Sequence, residues 1–166
     1  MIIPVPRIGF GYDVHRLQEG YPLWLGGIQI PSAQGAVGHS DADVLIHALC
    51  DAILGAAALR DIGFHFPDTE EEYRGISSIL LLERVMKKIH AKGYSFGNMD
   101  ATLVLQQPRI SPFIPEMQIK LAQTLQCTPD AVSIKATTSE KLGFEGRREG
   151  VSAYAVVILF SAPPLS

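Results

Sequence analysis

Two histidines and three aspartates fall in the stretch Gly38-His39-Ser40-Asp41-Ala42-Asp43-Val44-Leu45-Ile46-His47-Ala48-Leu49-Cys50-Asp51, among residues whose spacing makes an apolar helix face. Val44, Leu45, Ala48, Leu49, Ala52 and Ile53 recur at three-and-four spacing, with Ser40 as the expected N-cap. Asp43, His47 and Asp51 then form a second stripe. Ionisable groups so close to a core are costly unless they are paired or bound to a metal. His47 by itself reads as a satisfied core histidine. Asp13-Val14-His15 changes that reading, because in extended chain residues two apart project to the same side. Alone, this triplet means no more than an Asp-His hydrogen bond. With His47 it offers two imidazoles and a carboxylate as a three-ligand set.

Other residues suit anions and hydroxyls. His39 and Ser40, at the start of the expected helix, are placed to meet a phosphate, or else form an ordinary cap. Asp61 lies in a loop running from Arg60 to Glu70 with no structural role visible in sequence, so it is a candidate for ribose or polyol hydroxyls. Asp68 with Glu71 has the spacing of a capping box. Arg109, in the compact loop Gln107-Pro108-Arg109-Ile110, is either exposed charge or a phosphate contact. In Thr137-Thr138-Ser139-Glu140-Lys141-Leu142-Gly143-Phe144-Glu145-Gly146-Arg147, hydroxyls and amides suit phosphate oxygens and Glu140 suits a hard cation. The structural alternative there is a capped turn and a glycine-rich connection.

The elements that must position these groups follow from pattern. Residues 7–14 alternate as a strand whose glycines imply a close approach to the backbone. Residues 22–30 read as a second strand region broken at Gly26-Gly27, and residues 31–38 as a flexible loop. Helices are expected over 76–92, ending at Gly93, and over 111–126, starting at Ser111-Pro112. Strands are expected at 96–106, 132–136 and 150–160, the last stopped by Pro163-Pro164. The sum is an α/β (α+β) fold, a single domain over 1–166 with a mostly four-stranded mixed sheet covered by about three helices.

Composition narrows the function. With 166 residues and 47% hydrophobic content the chain suits one domain with a proper core. A net charge of -3 with scattered Lys and Arg leaves no basic footprint for nucleic acid or an anionic membrane. Cys50 and Cys127 form no metal motif and no disulfide framework, which suits a reducing compartment. The N-terminal residues resemble neither a signal nor a transit peptide, and no apolar run approaches the ~20 residues that span a bilayer. A cytoplasmic protein is expected.

Three separated blocks carry a resemblance: Gly11-Tyr12-Asp13-Val14-His15; Gly38-His39-Ser40-Asp41-Ala42-Asp43 with His47; and Thr137-Thr138-Ser139-Glu140-Lys141-Leu142-Gly143-Phe144 with Gly146-Arg147. Together they resemble the 2-C-methyl-D-erythritol 2,4-cyclodiphosphate synthase family of the non-mevalonate isoprenoid pathway. Asp61-Ile62-Gly63 and Phe66-Pro67-Asp68-Thr69 match too, and the resemblance runs from about Arg7 to Phe160. It implies a homotrimer with active sites at subunit boundaries. It implies a zinc-like divalent ion on Asp13, His15 and His47, and a second ion, magnesium or manganese, on Glu140 between substrate phosphates. The implied substrate is 4-diphosphocytidyl-2-C-methyl-D-erythritol 2-phosphate, whose 2-phosphate attacks the β-phosphorus and releases CMP. His39 and Thr138 match positions that stabilise the transition state, and Ser40 and Thr137 match phosphate contacts. Asp61 and Gly63 match positions near the ribose or methylerythritol, and Phe66 and Asp68 match further substrate contacts. Residues 105–111, with Arg109, match a cytidine-side loop from a neighbouring subunit. Phe144 and Arg147 match the lining of a central cavity for an isoprenoid diphosphate, with a pairing of Arg147 to a nearby carboxylate as the alternative.

There are departures from the family pattern. Ala42 and Arg60 stand where many relatives have glycine, and Arg109 stands where lysine is common. Ala42 is expected to be harmless inside a helix; Arg60 bears on the geometry of Asp61. No room exists for the nucleotidyltransferase domain fused in some bacteria, so a monofunctional chain is expected. Two competing readings remain. One is a single-zinc hydrolase with Asp41 or Asp43 as general base. The other is a non-catalytic trimeric module, which loss of metal would unfold rather than merely inactivate.

Overall fold

Glycine alternates with bulky residues along the first strand, and a computed structural model explains why. The structure describes residues 5–161; the expected proline stop at Pro163-Pro164 and residues 1–4 lie outside them. In chain order the elements are β1 (Pro6–Glu19), β2 (Leu23–Leu25), β3 (Ile28–Ile30), β4 (Gln34–Val37), α1 (Val44–Ala56) and α2 (Ile62–His65). After them come α3 (Ser78–Ala91), β5 (Tyr94–Val104), α4 (Ile114–Leu125), β6 (Val132–Thr137), α5 (Gly143–Gly146) and β7 (Gly150–Ser161).

The main sheet has five strands in the order β4-β1-β7-β5-β6, one more than expected, and only β5 and β6 run parallel. The additional strand is β4, which lies inside the stretch expected to be a flexible loop and pairs with Arg16 to Glu19. Its residues, Gln-Gly-Ala-Val, are too few and too small to show an alternating pattern. β1 is accordingly longer than its sequence signal. β2 and β3 form a separate two-stranded hairpin turned by Gly26 and Gly27, both at positive φ as a tight hairpin turn requires. Among the described residues three long α-helices, α1, α3 and α4, are accompanied by two single-turn ones, α2 and α5, giving five rather than about three. Among the described residues no helix is long and apolar enough to cross a membrane.

α1 is buried on almost every side, and it lies across β1 and β7. The glycines of β1 permit this. A Cβ at Gly11 would stand 1.9 Å from the Ala48 carbonyl oxygen, and one at Gly9 would stand 1.8 Å from that of Ala52. What approaches the strand backbone is therefore the helix itself. The same contact carries His47, next to Ala48, over Asp13 and His15. Gly11→Ala is expected to cost roughly 3 kcal/mol of stability, since a backbone clash cannot be relieved by rotating a side chain. Urea unfolding checks this, with a lower midpoint at an unchanged slope.

The opposite face of β1 and β7 is different. Ile8, Phe10, Tyr12, Val14, Tyr154 and Val156 are exposed there, with the Tyr12 and Tyr154 rings 5.0 Å apart. Cys50 is buried, Cys127 is half-buried, and both are free thiols.

Candidate active site

Asp13 and His15 project from the inner face of β1, and His47 faces them from the second turn of α1. Asp13 Oδ2 lies 3.0 Å from His15 Nε2 and 3.1 Å from His47 Nδ1, and the two nitrogens are 3.1 Å apart. Among the described residues this is the one group of three or more potential metal ligands that converges. On the far side of its ring, His15 donates Nδ1–H to the Val37 carbonyl of β4 at 3.1 Å. A carbonyl only accepts, so His15 turns an electron pair inward. When His47 Nδ1 is unprotonated as well, three electron-pair donors crowd one point, which is favourable around a cation. One carboxylate and two imidazoles fit a zinc-like ion and leave a fourth tetrahedral position open.

Electrostatics agree with that fit. Burial pushes the Asp13 carboxyl up, but hydrogen bonds and charge from His15 and His47 outweigh it and leave the group at about 2. Burial would lower His47, yet the hydrogen bond and charge of Asp13, with the charges of Asp43 and Asp41, hold it above its ordinary 6.5. In the metal-free protein, the stability that His47 contributes is therefore fully present below pH 6.5 and is lost as pH rises through the raised value. A bound metal reverses the slope, because a ligating imidazole cannot take the proton. Melting curves from pH 6 to 8 are expected to show opposite pH trends for chelated and zinc-loaded protein. Parallel trends would mean that His47 is not a ligand.

The other members of the helical stripe do different work. The N-cap of α1 is Asp43 rather than Ser40. Its buried carboxylate accepts from Ile46 N–H at 3.1 Å, Gly26 N–H at 3.0 Å and Gly27 N–H at 2.7 Å, tying the β2–β3 turn to the helix. Asp51 accepts from Ile62 N–H at 2.7 Å and so anchors α2. Asp41 accepts from Ser78 N–H at 2.8 Å and from the Ser78 hydroxyl. The two carboxylates proposed as a hydrolytic base are thus both occupied by structural hydrogen bonds.

Ala42 and Arg60 lie outside helices, at φ 57° and 71°. This corrects the placing of Ala42 inside a helix, and left-handed backbone is a physical reason for glycine at both positions. The Arg60 guanidinium sits 4.0 Å over the Phe64 ring. Asp61 does have a structural role, capping α2 by accepting from Phe64 N–H at 2.9 Å. Asp68 does not form the capping box with Glu71: Glu70 precedes the short helical turn there, and Asp68 Oδ2 lies 3.7 Å from His39 Nε2 instead.

A pocket of about 320 Å³ opens beside the centre, lined by His15, His39, Ser40, His47, Gly63, Phe66 and Asp68 among others. Ser40 Oγ accepts from Ala42 N–H at 3.1 Å and lies 3.0 Å from His47 Nε2. A second pocket, of about 570 Å³, is lined by residues 105–111, including Arg109, with Ala136, Thr137 and Thr138. Thr138 Oγ1 accepts from Glu140 N–H at 3.3 Å, and Glu140 and Lys141 both adopt left-handed backbone, a strained pair typical of functional loops. Within one chain Glu140 does not join Asp13, His15 and His47. Phe144 packs against Gly150, and Arg147 donates a forked pair of bonds to Glu149, both 3.0 Å. Sequence reasoning missed Ser78, whose hydroxyl reaches 3.0 Å from His47 Nε2; in sequence it is one polar residue near the start of the helix expected over 76–92.

Similarity to known proteins is extensive. A family model described as the YgbB family matches residues 6–160. A 2-C-methyl-D-erythritol 2,4-cyclodiphosphate synthase of Porphyromonas gingivalis is 60% identical over 156 residues, covering 94% of this chain and 96% of the relative. The bifunctional IspDF of Campylobacter jejuni superposes with a TM-score of 0.92 at 41% identity, covering 96% of this chain, which spans only 43% of that protein. A solved 2-C-methyl-D-erythritol 2,4-cyclodiphosphate synthase with CDP bound gives 0.86 at 40% identity, covering 92% of this chain and 99% of the other.

Proposed function

We infer the reaction from one premise, that the chain belongs to the YgbB family. It is a 2-C-methyl-D-erythritol 2,4-cyclodiphosphate synthase activity, an enzymatic step of non-mevalonate isoprenoid precursor synthesis. 4-Diphosphocytidyl-2-C-methyl-D-erythritol 2-phosphate is converted to 2-C-methyl-D-erythritol 2,4-cyclodiphosphate and CMP. An oxygen of the 2-phosphate forms a bond to the β-phosphorus, and the bridging bond to the α-phosphate breaks with its electron pair leaving on CMP. The nucleophile is already an anion, so no strong base is needed. The difficulty is bringing like charges together.

The observation that carries this reading is the convergence of Asp13, His15 and His47, of which the two histidines line the 320 Å³ pocket. These three would hold a zinc-like ion and Glu140 a magnesium or manganese ion, which when bound supply Lewis-acid polarisation of phosphate oxygens and a template for in-line attack. His39, exposed at the pocket rim beside Asp68, donates to the developing charge. Ser40 and Thr137 offer hydroxyls to the phosphates, and Thr138 stabilises the transition state. Asp61, with one oxygen engaged by its helix, keeps the other for a hydroxyl beside Gly63 and Phe66. Arg109 faces the cytidine side.

Since Arg109, Thr138 and Glu140 line a surface separate from the three ligands, a complete site needs two chains. The exposed apolar face of β1 and β7 supports a homotrimer in which a neighbour brings residues 105–111 and 137–140 to this chain's centre. Phe144 and Arg147 would line its central cavity, where an isoprenoid diphosphate must compete with Glu149 for the Arg147 fork. We assign the activity to the cytoplasm.

Chelation separates an enzyme centre from a structural one. Removal of metal is expected to abolish turnover while the chain still melts cooperatively, and zinc is expected to restore activity. Unfolding on chelation would instead favour a structural metal module.

A further inference from the structure

His47 reaches the centre through Nδ1, and an imidazole does not choose that nitrogen by itself. A neutral ring has one proton; on Nδ1 it turns the ligand into a donor. Asp13 alone favours that wrong form, since its Oδ2 lies 3.1 Å from Nδ1 and would accept the proton. The opposing influence comes from the far side of the ring. Ser78 Oγ lies 3.0 Å from His47 Nε2, on a residue that is fully buried at the start of α3. A hydroxyl has one proton, and Ser78 donates it to Asp41 Oδ1, while Ser78 N–H donates to Asp41 Oδ2 at 2.8 Å. Asp41 Oδ1 also accepts from Asp43 N–H at 3.2 Å, which fixes the carboxylate in place. A carboxylate accepts only, so the direction of the chain is forced, and Ser78 shows His47 nothing but lone pairs.

We propose that Asp41 and Ser78 are positioning residues that hold the proton of His47 on Nε2 and so keep Nδ1 free for a divalent cation. This rests on the metal-binding reading of Asp13, His15 and His47. His15 is oriented in the same way by a backbone carbonyl, which substitution cannot remove; His47 depends on two side chains. Ser40, also 3.0 Å from Nε2, does not decide the matter, because its hydroxyl can donate or accept. With Nε2 protonated, Ser40 keeps its own proton for a ligand oxygen.

Asp41→Asn is the sharpest variant. It is nearly isosteric; the orientation that keeps its oxygen on the 2.8 Å bond from Ser78 N–H gives up only the longer 3.2 Å bond from Asp43 N–H, and its amide N–H then faces the Ser78 hydroxyl. Ser78 then donates towards His47 Nε2, which moves the ring proton to Nδ1. Ser78→Ala removes the bridge altogether. Zinc alone, titrated against a chromophoric chelator, is expected to bind both variants about 10- to 100-fold more weakly than the wild type, as loss of an outer-shell partner does elsewhere. Nitrogen-15 NMR of the zinc-free proteins, at a pH where His47 is neutral, is expected to show Nε2–H in the wild type and Nδ1–H in Asp41→Asn. A merely structural role would not move that signature. Zinc affinities within threefold of wild type, or Nδ1–H in the neutral wild type, would overturn the proposal. If the wild type binds no zinc, the metal-centre reading fails while the NMR result still decides the relay. If Ser78→Ala fails to fold, Asp41→Asn decides it.

Discussion

His47→Ala lowers kcat/KM by at least about 10³-fold, equivalent to roughly 4 kcal/mol of transition-state stabilisation. The imidazole is one of three side chains that converge within hydrogen-bond reach, and no other histidine or carboxylate among the described residues joins them. Its loss leaves Asp13 and His15, two protein ligands where a catalytic zinc-like site takes three. The fold survives, because α1 is anchored independently by Asp43 at its cap and by apolar residues on almost every side. Steady-state kinetics with a metal assay of the purified variant check this. A variant that keeps its metal and its rate would remove His47 from the centre.

The second large effect is expected on the opposite face of the sheet. Phe10 is 62% exposed at the middle of the apolar face of the sheet, which contributes nothing to the chain's own core. Phe10→Asp costs a single chain only a surface contact with the Tyr154 ring, 6.4 Å away, but places a carboxylate where a trimer would bury it, at a cost of several kcal/mol per chain. Light scattering is expected to report a monomer, and activity to fall by at least about 10²-fold with it, because Glu140, Thr138 and Arg109 then no longer reach a neighbour's centre. A fully active monomer would refute sites shared between chains. An unchanged mass would show that this face is not the interface.

Much of the centre is legible from local periodicity. Asp13 and His15 share a face because strands repeat every two residues, and His47 lies on a helix whose apolar pattern is plain; Gly9 and Gly11 announce the close contact that joins them. What is not legible depends on partners distant in sequence. β4 has no pattern of its own and exists because β1 offers an edge. Asp43, His47 and Asp51 look like one stripe, yet each faces a different neighbour: the β2–β3 turn, Asp13 and α2. Asp61 looks free because its partner is a backbone N–H, and Ser78 looks ordinary because its importance lies in what it accepts. The left-handed backbone at Ala42 and Arg60 is hidden because neither residue type advertises it.

Phosphorus NMR of the protein with the cytidylated 2-phosphate substrate and magnesium, in water enriched in oxygen-18, separates cyclisation from hydrolysis. Coupled cyclic-diphosphate resonances and equimolar CMP are expected, neither carrying an isotope shift, and both absent with His47→Ala. Linear phosphates carrying oxygen-18 would rule out the cyclisation and make the protein a hydrolase.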